Sequence, residues 1–205
     1  MAYAHADFEA PHARFIELFR ASFPEWPGEG QVLDLGCGPG DIAVRFARAY
    51  PEVTVDGIDG AEAMLAAGRC VFAHDPHFNA SVRLHKVRLP QEQPPRRDYD
   101  AAISNSLLHH LHDPMVLWNA IAAFTRPGAP VFVIDLMRPG SREEAAALQR
   151  HHVGGEPEVL QRDFFNSLLA AFTVSEVADQ LREAGLGHLS VEAISDRHVM
   201  VKGWR

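Results

Sequence analysis

The sequence predicts an α/β protein built on a doubly wound, mostly parallel sheet. Three observations carry that expectation. Residues 32–50 read as an apolar strand (Val32-Leu33-Asp34-Leu35), a turn rich in glycine (Gly36, Gly38, Gly40), and a helix with Ile42, Ala43, Phe46, Ala47 and Tyr50 at helical spacing. Further along, strand-like and helix-like segments alternate, the pattern of parallel strands joined by crossover helices. Val131-Phe132-Val133-Ile134 is apolar without interruption, as a parallel strand covered on both faces requires.

Taken in order, Phe8, Phe15, Ile16 and Phe19 mark one face of an N-terminal helix stopped by Pro24, so residues 1–28 form a cap ahead of the sheet. Trp26 to Gly30 turns into the first strand, and Pro51 breaks the first crossover helix. Val53 to Ile58 is the second strand, followed by an amphipathic helix carrying Met64, Leu65, Val71 and Phe72. Val82-Arg83-Leu84-His85 is a short third strand. The stretch from Leu89 to Pro95 is irregular, because its prolines remove backbone donors. A fourth strand ends at Asn105, and Leu117, Ala120, Ile121 and Phe124 mark a helix ahead of Pro127-Gly128. Residues 137–172 do not read as sheet scaffold. They hold an Ala-rich helix near Arg142 to Arg150, His151-His152, Gly154-Gly155, and a second helical stretch around Asp163 to Phe172. An insertion leaving the carboxyl edge of the sheet is expected to act as a lid. Val174, Val177, Ala178 and Leu181 form a helix stopped by Gly185, and His188 to Trp204 reads as two strands turning at Ser195-Asp196-Arg197.

Totals narrow the class. With 205 residues, 47% of them hydrophobic, a single domain over 1–205 with a full core is expected. No run approaches the roughly 20 apolar residues of a membrane span, and Met1 to Asp7 lacks a basic-then-apolar signal, so a cytoplasmic setting without membrane partners is expected. A net charge of −8, with Arg96-Arg97 the one adjacent basic pair, disfavours nucleic acid as a partner. Cys37 and Cys70 suit neither a zinc site nor a disulfide framework. The Arg and Ala bias is that of a GC-rich bacterial genome. Monomer and homodimer both fit.

The glycine turn narrows the ligand. Its spacing is G-x-G-x-G and not the dinucleotide fingerprint G-x-G-x-x-G, and Asp41 reads as the helix N-cap. A carboxylate there competes with a bound pyrophosphate for the helix-end N–H groups. A cationic nucleoside without phosphates fits better, and S-adenosylmethionine is such a molecule. Asp34-Leu35-Gly36-Cys37-Gly38-Pro39-Gly40 resembles the first motif of class I S-adenosylmethionine-dependent methyltransferases. Val53 to Asp59 resembles their second strand with its ribose-binding acid, and Asp98 to Asn105 their fourth strand. Leu107 to Pro114 resembles the loop after that strand, and Arg126-Pro127-Gly128-Ala129 the turn into the fifth. The resemblance covers residues 30 to 203. It implies a seven-stranded sheet in the order 3-2-1-4-5-7-6 with an antiparallel C-terminal hairpin, and methyl transfer to a small-molecule acceptor.

Asp59 ends its strand 19 residues after Gly40, near the offset of about 20 at which an acid meets a ribose; the other reading is a cap for the helix from Ala61. The resemblance implies backbone approach at Gly36, Gly38, Gly40 and Gly60, packing of Met64 on adenine, and Asp34 steadying the loop or the ligand's amino group. Many relatives place an acid after strand three, where this chain has Lys86-Val87-Arg88-Leu89. Adenine would then meet backbone and apolar groups of Val87, Arg88 and Leu89. Asn105 lies where the methionine end of the cofactor is expected. His109 and His110 are candidate general bases, with a structural role as the alternative. Tyr3, His12, Arg138, Asp163, Phe165 and Asn166 are substrate candidates, Arg138 as a clamp for a carboxylate. The twelve histidines lack an i, i+4 pair with an acid, so no metal is expected. Two other functions stay open: a nicotinamide oxidoreductase on a similar fold, and a non-catalytic S-adenosylmethionine-binding protein.

Overall fold

In the computed structural model, which describes residues 9–205, the sheet runs β3-β2-β1-β4-β5-β7-β6. The strands are β1 (Glu29–Leu35), β2 (Glu52–Asp59), β3 (Val82–Lys86), β4 (Ala101–Asn105), β5 (Pro130–Leu136), β6 (Ser190–Ala193) and β7 (His198–Trp204). All pairings are parallel except β5 with β7 and β7 with β6. This is the order implied by the resemblance.

Alternation along the strands divides the core into two layers. Val32, Val55, Ile103, Phe132 and Ile134 face one side, against α1 (Glu9–Ser22) and α2 (Asp41–Ala49). Leu33, Leu35, Ile58, Ala102, Val131 and Val133 face the other, against α5 (Met115–Phe124) and α8 (Val174–Glu183). The first layer is aromatic. Phe19 is fully buried, with the rings of Phe23, Trp26, Phe46, Tyr50 and Phe132 centred 4.8–5.9 Å away. Phe15 and Ile16 share that buried face, whereas Phe8 lies outside the described residues.

Several local expectations need correction. Asp41 is not the N-cap of α2. Gly40 is, in a left-handed conformation at φ 88°, and Asp41 opens the helix with its carboxylate 2.8 Å from Arg45 Nε. In α3 (Glu62–Val71) only part of the expected apolar face is covered: Leu65 is buried, but Val71 is 69% exposed. A short helix, α4 (Pro76–Ser81), intervenes before β3. Buried Asp56 on β2 accepts a hydrogen bond from Tyr99 Oη at 3.0 Å and pairs with His85 Nε2 at 2.9 Å, so a carboxylate in mid-strand is fully partnered.

The segment 137–172 leaves and rejoins the sheet at one point. Met137 and Phe172 form a parallel bridge, and Arg138 N donates to Phe172 O at 3.1 Å. Between them lie α6 (Arg142–Val153), capped by Ser141, and α7 (Glu158–Ala170). α7 reaches the 3₁₀ turn Leu108–His110 that follows β4, and the far end of α6 is tied to the β6–β7 turn by His152 Nε2, 2.7 Å from Asp196 Oδ2. Among the described residues no helix is long and apolar enough to cross a membrane.

Gly68 decides how α3 meets the glycine turn. A Cβ there would stand 2.0 Å from Pro39 O, which is backbone and cannot rotate away. Gly68→Ala should therefore cost about 1–3 kcal/mol by overpacking, although alanine is the better helix former. Urea unfolding checks this, and unchanged stability would mean that α3 stands off the turn.

Candidate active site

The site forms where strand order reverses. β1 is flanked by β2 on one side and β4 on the other, so the loops after β1 and β4 open a crevice at their carboxyl ends. Gly36 N and Cys37 N donate to Ile58 O at 2.9 and 3.1 Å, fastening the glycine turn to the end of β2. Gly36, at φ 69°, faces Leu107 of the loop after β4, where a Cβ would come within 2.6 Å. Glycine here lets the two loops meet.

Asp59 joins three parts of the crevice. Its Oδ2 accepts from Gly38 N at 3.0 Å, its Oδ1 from Ala61 N at 2.7 Å, and its backbone carbonyl from Val87 N at 3.0 Å. The N-cap of α3 is Ala61, so Asp59 acts two residues earlier as a strut. Each carboxylate oxygen keeps a second lone pair for a ligand hydroxyl. Met64 lies beside Gly38, its Cε 3.4 Å from where a Cβ would sit. Gly60 borders Val87 and Arg88. Arg88 itself is exposed, and its N–H donates to Glu92 Oε2 at 2.7 Å. A turn thus brings a carboxylate to the corner where the register after β3 lacks one. Asn105 is half-buried at the end of β4.

Asp34 is buried beneath the turn, with Oδ2 lacking any hydrogen-bond partner. Burial first, and the charge of Asp59 second, push its pKa up to about 7.

The histidine pair divides. His109 is buried, and its Nδ1 lies 2.6 Å from Asp135 Oδ1 on β5. Asp135 also accepts from Leu108 N at 2.6 Å and Leu136 N at 2.8 Å. Sequence reasoning missed Asp135, whose sole signal was an acid inside an apolar strand. His109 is therefore a strut between the turn after β4 and β5. His110 lies against it with its ring tilted, centroids 3.9 Å apart, and opens onto a cavity of about 480 Å³ lined also by Met64, Asp163, Asn166 and Ser167. Burial and the neighbouring His109 lower the pKa of His110, leaving it neutral at pH 7.

The substrate candidates scatter. Asp163 and Asn166, one turn apart on α7, reach the cavity. Arg138 does not line it; its guanidinium pairs with Glu176, which also completes the capping box of α8. Phe165 lies under Arg142, 5.0 Å from its ring centroid to the guanidinium carbon. Tyr3 and the side chain of His12 fall outside the described residues. Among those residues, no group of three or more His, Cys, Asp or Glu could hold a metal ion.

Comparison with known proteins meets this geometry. A family model described as a methyltransferase domain matches residues 33–131, which span the glycine turn, Asp59 and the histidine loop. Over those residues, just under half of the chain, it matches a methyltransferase domain, in keeping with the class I S-adenosylmethionine-dependent methyltransferases whose motifs it resembles. An uncharacterized methyltransferase of Mycobacterium tuberculosis is 33% identical over 111 residues, covering 54% of this chain and 53% of that protein. A ubiquinone biosynthesis O-methyltransferase of Acinetobacter baumannii is 31% identical over 157 residues, 76% of this chain and 63% of that one. The matched region thus spans between about half and less than two thirds of these relatives. In fold, the chain is similar to the plantazolicin methyltransferase BpumL solved with S-adenosylhomocysteine, at a TM-score of 0.72 and 14% identity over 96% of this chain and 86% of that one. The family's cofactor is S-adenosylmethionine, and the nicotinamide alternative falls with this assignment.

Two outcomes test the buried acids. Asp34 has a raised folded pKa, so the unliganded protein loses stability as pH climbs from about 4 to about 7. Asp34→Asn should remove that loss, by up to about 4 kcal/mol above pH 7 and by little near pH 4. Urea titrations across that range read the difference, and parallel curves for parent and variant would contradict it. Asp135→Ala should leave His109 and the Leu108 N–H unpartnered in the core, costing about 3 kcal/mol or more; a thermal midpoint equal to the parent's would mean that the strut carries no load.

Proposed function

We propose that the protein transfers the methyl group of S-adenosylmethionine to a small-molecule acceptor bound in the cavity between His110 and α7. The observation that supports this best is continuity: Met64 touches both the glycine turn and the cavity that His110 enters. A cofactor lying along Gly36, Gly38 and Gly60, with its ribose on Asp59 and adenine between Met64, Val87 and the Arg88–Glu92 corner, would direct its methionine end past Asn105 toward that cavity. Asp34 beneath the turn then answers a cationic ligand, whose charge favours the ionised carboxyl.

Transfer is an in-line displacement. A lone pair of the acceptor forms the bond to the methyl carbon as the carbon–sulfur bond breaks, and the sulfonium leaves as a neutral thioether. Alignment of the three centres supplies much of the rate. When the acceptor carries a proton, His110 is placed to take it, since its imidazole is neutral and faces the cavity. His109 is committed to Asp135 and holds the loop. The excursion α6–α7 would serve as the lid, since α7 brings Asp163, Asn166 and Ser167 over the opening. The O-methyltransferase relative supports an oxygen acceptor.

Labelled methyl transfer from S-adenosylmethionine to a panel of phenols and amines tests the reading. His110→Ala should lower kcat about 10²–10⁴-fold while S-adenosylhomocysteine binds as before. In the parent, kcat should rise with pH through a value below 6.5 and flatten above it, and the variant should lose that limb. A variant with parental kcat and pH profile would take proton removal away from His110. Binding of S-adenosylhomocysteine without transfer to any acceptor would favour the non-catalytic alternative.

A further inference from the structure

We propose that the acceptor is cationic or uncharged and rich in hydrogen-bond donors, an amine or hydroxyl compound held by Asp163, and not a carboxylic or phosphoric acid. This rests on reading the cavity of His110 as the acceptor site. The lining groups are the Asp163 carboxylate, the Asn166 amide, the Ser167 hydroxyl, the His110 imidazole and the Met64 thioether. Each of the polar ones can accept a hydrogen bond. None of these lining residues is a lysine or arginine.

Two carboxylates act from the surroundings. Asp135 and Asp59 both act on His110 with negative sign, against the opposing effect of His109. Nearby arginines are engaged elsewhere: Arg138 with Glu176, and Arg142 over the Phe165 ring. Arg162 Nη2 lies 3.6 Å from Asp163 Oδ1, but both side chains are about half or more exposed, and such a pair yields readily to a better-held partner. The first arginine of the chain is Arg14, so residues 1–13 bring no lysine or arginine to any surface. An anionic acceptor would find no lysine or arginine among the lining residues and three carboxylates around it, with the cofactor's sulfonium as its counter-charge. A cation enters with one at α7, and a hydroxyl or amine finds acceptors throughout.

The experiment has two arms on the full chain saturated with S-adenosylhomocysteine or S-adenosylmethionine. In the first, nitroxide probes of one frame, aminomethyl-PROXYL (cation) and carboxy-PROXYL (anion), relax amide protons of the isotope-labelled protein. The cation should relax Asn166 and Ser167 about twofold or more faster than the anion, and Asp163→Arg should reverse the order. Equal relaxation by both probes, or a stronger effect of the anion, overturns the proposal. In the second, methyl transfer is compared across tyramine, 4-ethylphenol and 4-hydroxyphenylacetate, alike in their phenol and different in charge. Turnover should rank the first two above the third, with Asp163→Arg raising the third; transfer to the anion alone overturns the proposal. Failure of every acceptor in a broad panel counts against methyl transfer itself, and the probe ratio still decides the charge preference.

Discussion

The arrangement of the site depends on one topological constraint, the reversal of strand order at β1. Because β2 and β4 lie on opposite sides of β1, the glycine turn and the histidine loop leave the sheet from neighbouring strands and face each other across a crevice. The constraint is enforced by hydrogen bonds within the protein, from backbone and side chains alike, and not by the ligand. Ile58 O holds two N–H groups of the turn, Asp59 joins Gly38 to Ala61, and Ser104 Oγ donates to Leu35 O at 2.8 Å between β4 and β1. A crevice of this kind is already formed before a ligand arrives, which lowers the ordering cost of binding.

Electrostatics follow from the same geometry. Asp34, Asp59 and Asp135 each end or nearly end a strand, and parallel strands bring those ends to one edge. The protein tolerates this concentration of acid in two ways. Asp135 is fully partnered by His109 and two backbone donors, whereas Asp34 keeps an unpartnered oxygen and a raised pKa. A partnered acid holds structure. An unpartnered one stores unfavourable energy that a cationic ligand relieves.

Much of this was legible in the chain because the signals are local. Strand, glycine turn and helix follow each other within residues 32–50, and Asp59 is placed by an offset along the sequence. What escaped were pairings set by tertiary contact. Asp135 meets His109 across 26 residues because β4 and β5 happen to be neighbours, and Glu92 returns to Arg88 through a loop with no periodicity. The Arg138–Glu176 pair escaped for the same reason, since the two residues are 38 apart, on either side of the excursion. Nothing in the sequence around Gly68 shows its use, which lies in the packing of α3 on Pro39. Loss of the apolar strand pattern is itself a sequence signal, and the bridge between Met137 and Phe172 is where α6 and α7 leave and rejoin the sheet.

A crystal structure with S-adenosylhomocysteine tests the central claim most directly. The account predicts ribose hydroxyls within hydrogen-bond distance of the Asp59 carboxylate, the ligand backbone along Gly36 and Gly38, and the sulfur facing the cavity lined by His110 and Asp163. A ligand bound away from Asp59, or with its sulfur turned from that cavity, would contradict it.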